Sequence, residues 1–196
     1  MTVHKEKLRN IIDKIHPLKK ECWNELEKFW SLRKINRNEY YSKEGETFKQ
    51  LSFLCSGILR AYHTDDMGNE WNEHFFVKNE FVTSGVSPEI KNITNIQSLS
   101  ESVILTIPIM KLIEISNRHS EINEFIQKLS FKCLENRQKR EFILQSNNTI
   151  NRYTFFKQTF SDVETKIQDF HIASYIGTSP TQLSRIKKKI NMQLHM

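Results

Sequence analysis

The sequence predicts an α+β chain: a jelly-roll β-domain, then one long helix, then a C-terminal helix-turn-helix. Three observations carry that expectation. From about Lys34 to Pro108, short runs rich in aromatic and β-branched residues are parted by the turn signals "KEGE", "CSG", "DDMGN" and "VKNE". From Met110 to about Leu144 neither proline nor glycine occurs, and helix formers dominate. Near the end, "GTSPTQLSRIKKK" (Gly177 to Lys189) sets a glycine and a Ser-Pro start signal ahead of a basic helical segment.

The elements follow in order. Residues 3–33 carry apolar positions at helical spacing (Leu8, Ile11, Ile12, Ile15, then Trp23, Leu26, Phe29, Trp30), and Pro17 divides them into two helices. The strand region then opens and closes with "NITNIQSLSESVILTIPI", in which Pro108 belongs at a strand end or edge because it has no N–H to donate. Trp71, Phe75, Phe76 and Phe81 are expected to fill the small barrel. In the long helix Ile115, Ile122, Ile126, Leu129, Cys133 and Ile143 recur at three- and four-residue spacing, interrupted by Asn136 and Arg140. A helix of some 30 residues is too long to bury itself on a small β-module, so pairing with a second copy is expected along Ile122, Ile126, Leu129, Cys133 and Asn136. The polar run "QSNNTINRY" (Gln145 to Tyr153) is the best boundary. The expected divisions are therefore 1–110, 111–145 and 146–196.

Charge and motifs narrow the function. The chain has 196 residues, a net charge of +6 and a pI near 9.2, which permits a polyanionic partner. Cys22, Cys55 and Cys133 are scattered, with no CxxC pair to suggest zinc or an iron–sulfur cluster, and a reducing compartment fits them best. No signal peptide and no span of 18 apolar residues is found, so a cytoplasmic protein without a membrane partner is expected. GxSxG, HExxH and P-loop motifs are absent; no catalytic residue, cofactor or metal is expected. The alternative is a cupin-like metal enzyme or small-molecule binder with an incidental basic tail. His63, Glu70, Glu73 and His74 invite it, but the HxH pair of metal-binding cupins is missing, and surface roles are expected for the four. His4, His16, His119 and His195 have no partners arguable from the sequence.

The C-terminal stretch "DFHIASYIGTSPTQLSRIKK" meets the needs of a helix-turn-helix. Ile172, Ala173, Ile176, Leu183 and Ile186 supply the apolar crossing, and Gly177 supplies a turn residue tolerant of positive φ. Ala173 and Gly177 are read as the positions where a larger residue would part the helices. Thr178 or Ser179 can cap the second helix, and Pro180 falls in its first turn. Ser179, Pro180, Thr181, Gln182, Ser184, Arg185, Lys187, Lys188 and Lys189 are then the candidate DNA-binding residues. Small polar groups near the helix start can approach base edges, Arg185 can address a guanine, and the three lysines can meet phosphates. From Asn151 onward seven Lys and Arg stand against three Asp and Glu. The competing reading is a solvated basic hairpin; the spaced packing residues and the cap favour double-stranded DNA.

At this point the order of parts, together with "HIASYIGTSPTQLSRIKKK" and "FLCSGILRAYHTDDMGNE" (Phe53 to Glu70), resembles the Crp/Fnr superfamily of bacterial transcription regulators over nearly the whole chain. The resemblance implies a β-roll like that of cyclic-nucleotide-binding domains, a homodimer held by the central helix and a winged helix-turn-helix. It also implies a pseudo-palindromic operator, a small-molecule signal in the β-roll and contact with RNA polymerase. Its recognition positions fall on Ser179, Pro180, Thr181, Ser184 and Arg185. The chain departs from the nucleotide-binding pattern: "KNEFVTS" retains only Glu80, and Asn92 and Ile93 stand where the phosphate-gripping Arg–Ser/Thr pair belongs. Without that arginine a buried cyclic phosphate would lack its charge-assisted partner, which argues against cAMP or cGMP. Arg60, Tyr62, Glu80, Asn92 and Thr94 remain as effector-pocket candidates, for an effector of unknown identity.

Overall fold

A computed structural model describes residues 2–85, 87–146 and 148–194. Two helices, α1 (Thr2–Ile15) and α2 (Lys20–Leu26), flank Pro17 as expected. A 3-10 turn (Glu27–Phe29) leads to strand β1 (Ser31–Ile35), so the helical region ends earlier than residue 33. The reason is pairing: Ser31–Ile35 lies antiparallel to the last strand of the roll, and tertiary hydrogen bonding overrides the local period.

The roll has seven further strands: β2 (Tyr40–Ser42), β3 (Gln50–Ser56), β4 (Leu59–Thr64), β5 (Glu70–Phe76), β6 (Phe81–Val82), β7 (Asn95–Ser98) and β8 (Ser102–Pro108). They form two antiparallel four-stranded sheets of order β1-β8-β3-β6 and β2-β7-β4-β5. Pro108 closes β8, where its missing N–H breaks no ladder.

Both faces of both sheets are used. Ile35, Tyr41, Leu54, Leu59, Ala61, Phe76, Val82, Ile96 and Ile104 fill the space between the sheets. On β3 the alternate residues Leu51, Phe53 and Cys55 point the other way, under α1, α2 and the helices after the roll. The outer face of the second sheet carries Ile58 and Phe75 into the C-terminal helices. The four aromatics expected inside the barrel are therefore divided. Only Phe76 lies between the sheets; Phe81 packs on Phe53 and Phe125, Phe75 packs on the C-terminal module, and Trp71 is exposed.

The single helix expected from Met110 to Leu144 is two. α3 (Ile109–Ser116) and α4 (Ser120–Leu144) are separated by an elbow at Asn117–His119, made without proline or glycine. Burial imposes it: Leu112 and Ile115 of α3, and Ile122, Phe125 and Leu129 of α4, are drawn into one cluster with α1, α2 and β3. The C-terminal module holds α5 (Thr149–Thr159), α6 (Asp169–Tyr175) and α7 (Pro180–Leu194). The boundary segment is shorter than "QSNNTINRY", because Asn148 accepts from Ile150 N at 2.9 Å and starts α5 at Thr149. Among the described residues no strand follows Pro108, so the wing implied by the resemblance is not among them. No helix among them is long and apolar enough to cross a membrane.

Candidate nucleic-acid interface

α6 and α7 meet through the residues the spacing singled out: Ile172, Ala173, Ile176, Leu183 and Ile186 are all buried, joined by Tyr153, Phe156, Phe160 and Val163. α6 ends in a Schellman turn, with Thr178 N donating to Ala173 O (2.9 Å) and Gly177 N to Ser174 O (3.4 Å). Gly177 sits at φ +64°, the left-handed region. A Cβ there would meet only the end of Arg152, Nη1 at 3.3 Å. Glycine is required by backbone conformation, and the crowding expected at this position is a minor part of it.

α7 then starts cleanly. Ser179 Oγ accepts from Gln182 N at 3.2 Å, and Pro180 occupies the first helical position, where it forfeits no hydrogen bond. With Leu183 and Ile186 turned inward, Ser179, Pro180, Thr181, Gln182, Ser184, Arg185, Lys188 and Lys189 are exposed. Among the described residues Arg185, Lys188 and Lys189 make no ion pair. An open cleft of ≈ 750 Å³ runs between the start of α5 and this face, lined by Asn148, Thr149, Thr181, Gln182, Arg185 and Lys189 among others.

Lys187 departs from the expected phosphate set. Its Nζ lies 2.6 Å from Asp169 Oδ1 and 3.5 Å from Glu164 Oε1, and its side chain is only 23% exposed. It ties α7 to the segment before it. Tyr153 donates to the same Glu164, and burial followed by this carboxylate raises the phenol's pKa.

The five effector-pocket candidates do not converge. Arg60 and Tyr62 stack, guanidinium carbon 3.9 Å from the ring centre, on the outer face of the second sheet. Glu80 lies in the turn after β5, accepting from Val77 N at 3.1 Å. Asn92 is buried in the loop before β7, donating from Nδ2 to Ser42 Oγ at 2.7 Å, and Thr94 follows it half-buried.

Arg60 instead belongs to a polar seam that sequence reasoning missed. It is 5% exposed and reaches Glu70 (2.6 Å), Gln97 (2.7 Å) and His171 Nδ1 of α6 (3.3 Å). Asn72 donates to His171 O (3.0 Å), and Ser174 Oγ bridges Glu70 O and Asn72 N. Arg140 of α4 donates to Asn72 O (2.8 Å) and Tyr175 O (3.2 Å). Burial, then the Arg60 charge, pushes the His171 pKa down to about 4, so the imidazole is neutral. Beside this seam Phe75, Phe156, Phe160 and Tyr175 pack together, four of their ring pairs edge to face and two tilted, with ring centres 5.4–6.0 Å apart. No motif marks such a seam, because its members come from five elements.

The residues expected to pair along α4 are divided between core and surface. Ile122 and Leu129 are buried in the chain's own core, with Ile126 packed against it. Cys133 and Asn136 lie further along the same face, solvent-exposed. The opposite face of α4 presents Phe131 (61% exposed), Leu134 (51%) and Phe142 (76%).

A β-roll, a long helix and a C-terminal helical module follow one another in this order. This is the fold of the Crp/Fnr regulators. The structure of FixK2 from Bradyrhizobium japonicum matches with a TM-score of 0.77 at 12% identity, over 84% of this chain and 85% of that one. CLP of Xanthomonas campestris, described as a c-di-GMP-responsive global regulator, matches at 0.67 and 13%, over 89% and 93%. A Crp/Fnr-family transcriptional regulator from Eubacterium rectale matches at 0.67 and 13%, over 90% and 85%. No family model matches the sequence, and no curated protein does. The likeness is one of fold.

Proposed function

We propose that the protein is a homodimeric, sequence-specific DNA-binding transcription regulator acting in the cytoplasm. The carrying observation is the capped helix α7, whose exposed face bears Arg185, Lys188 and Lys189 unpaired while its other face is locked into the module. Lys188 and Lys189 supply salt-dependent phosphate contacts, and Arg185 with Thr181, Gln182 and Ser184 supplies base discrimination in the major groove. Ser179 and Pro180 set the height at which the helix enters. Phe131, Leu134 and Phe142 form the pairing stripe, each gaining about 1–2 kcal/mol if a second copy covers the half to three quarters of it still exposed. Pairing along α4 supports two recognition helices, and hence an inverted-repeat operator with half-sites about one helical turn (roughly 34–36 Å) apart.

The β-roll reading follows from Asn92. Its neutral amide stands where a cyclic phosphate would need a cation, so the effector is not cAMP or cGMP. In-vitro selection from random duplex DNA at near-physiological salt tests the whole proposal. Enrichment of an inverted repeat is expected. Retention of DNA with no enriched sequence, from protein shown to be folded and dimeric, would reduce α7 to a merely basic helix.

A further inference from the structure

Three groups from two distant parts of the chain meet at the elbow between α3 and α4. Cys22 of α2 is fully buried, and His119 and Glu121 flank the first residue of α4. One ligand atom from each, the Cys22 Sγ, a His119 ring nitrogen and a Glu121 carboxylate oxygen, lie within 4.8 Å of one another. A second observation marks the carboxylate. Glu121 Oε1 is buried without a hydrogen-bond donor, and its nearest cation, Lys19 Nζ at 3.9 Å, sits on a side chain 78% exposed. A buried acceptor left unpaired is costly and calls for a partner.

We propose that Cys22, His119 and Glu121 form a binding site for a thiophilic divalent cation of the zinc class. Sulfur, imidazole nitrogen and carboxylate oxygen are the donors of zinc sites, whereas magnesium and calcium favour all-oxygen sets. Donors around a tetrahedral ion stand about 3.5 Å apart, so side-chain rotations of about an ångström close the site. Glu25 supports it. Its Oε2 lies 2.9 Å from His119 Nε2, the carboxylate–imidazole pairing that orients metal-binding histidines, while its other oxygen pairs with Arg118. In that role it leaves Nδ1 of His119 for the metal. Binding releases the Cys22 thiol proton to solvent and leaves a thiolate–metal bond. The cation would pin α2 to the start of α4, the helix that carries the free apolar stripe.

The other histidine–carboxylate groups do not compete. His63–Glu73 (3.5 Å) and His74–Glu80 (3.4 Å) are separate pairs without a sulfur. Nor does the site depend on DNA binding, so the two readings fail independently.

The test uses metal-free full-length protein carrying Cys133→Ser, because Cys133 is exposed and would capture metal by itself. Titration with Co²⁺ is expected to saturate at one ion per chain. It should produce a near-ultraviolet thiolate-to-cobalt charge-transfer band and the strong visible bands of a tetrahedral site, both erased by Zn²⁺. Adding Cys22→Ser should abolish the charge-transfer band; His119→Gln and Glu121→Gln should each weaken binding at least about tenfold. Circular dichroism reports folding of each variant, and the two polar variants serve if loss of Cys22 unfolds the chain. The proposal is overturned by a folded parent that shows no charge-transfer band, by a band that survives Cys22→Ser, or by Gln variants that bind as tightly as the parent.

Discussion

Replacing Gly177 separates backbone strain from crowding at the turn between α6 and α7. The residue sits at φ +64°, and its N–H closes the α6 Schellman turn. A side chain there costs about 1–2 kcal/mol for entering the left-handed region. Crowding adds little, because the only close atom, Arg152 Nη1 at 3.3 Å, ends a flexible side chain. Against this, alanine lowers the entropy of the unfolded chain by about 0.4–1 kcal/mol. The net cost of Gly177→Ala is then about 1 kcal/mol, or about 2–4 °C in a chain of this length if unfolding is a single transition. Asparagine, which tolerates the left-handed region, should cost less although it is larger. Urea titrations of the two variants, followed by circular dichroism, decide the matter. Gly177→Asn at least as damaging as Gly177→Ala would mean that space, not conformation, demands glycine, and would sink the reasoning.

Other substitutions address the interface, the pairing stripe and the polar seam. Arg185→Ala should cost roughly 1–3 kcal/mol on the preferred DNA and relax specificity; an equal loss on every sequence would make it a phosphate contact. Lys188→Ala should flatten the slope of log affinity against log salt by about one, while Lys187→Ala leaves the slope unchanged and lowers stability by less than about 1 kcal/mol. A slope altered by Lys187→Ala would return that residue to the interface. Phe142→Glu should convert a dimer to a folded monomer in sedimentation, and persistence of the dimer would move pairing off this stripe. The depressed His171 pKa predicts acid sensitivity of the docked C-terminal module: the undocked imidazole binds its proton first, so stability present above pH 6.5 is lost as pH falls from 6.5 towards 4. His171→Gln should remove that component, and an unchanged acid profile would show the ring is not shielded from water.

Local rules were enough wherever one element satisfied itself. The break at Pro17, the strand end at Pro108, the buried contacts of α6 with α7 and the Ser179 cap were all legible, because each depends on neighbours in sequence. The exposed polar face of α7 was legible for the same reason, except at Lys187. That lysine looks like its neighbours in a list of charges, and only the placement of Asp169 and Glu164 distinguishes it. Cys22 was read as isolated because His119 and Glu121 reach it across most of the roll. The polar seam was hidden too, since Arg60, Asn72, Arg140 and His171 each look like ordinary surface polar residues until the module covers them.

α4 shows why apolar periodicity alone does not separate a core face from a free one. The helix carries two apolar faces, one recurring at three- and four-residue intervals and the other made by Phe131, Leu134 and Phe142. Ile122, Phe125 and Leu129 belong to the half of the helix that lies against α1, α2 and the first sheet, and there burial within the chain has first claim on them. Beyond Leu129 the helix leaves that core, and Phe131, Leu134 and Phe142 fall on the opposite side. The β-branched Ile stripe scored better as a seam, although the aromatic stripe is the one with surface left to bury. Exposure after folding, and not periodicity, is the quantity that separates a core face from a pairing face. The sheet facing the C-terminal module obeys the same rule. Phe75 and Phe76 are adjacent, equally apolar and indistinguishable in the sequence, yet one fills the roll and the other joins the roll to the helix-turn-helix. The roll and that module therefore touch through Phe75 and the Arg60 seam, not through the space between the sheets.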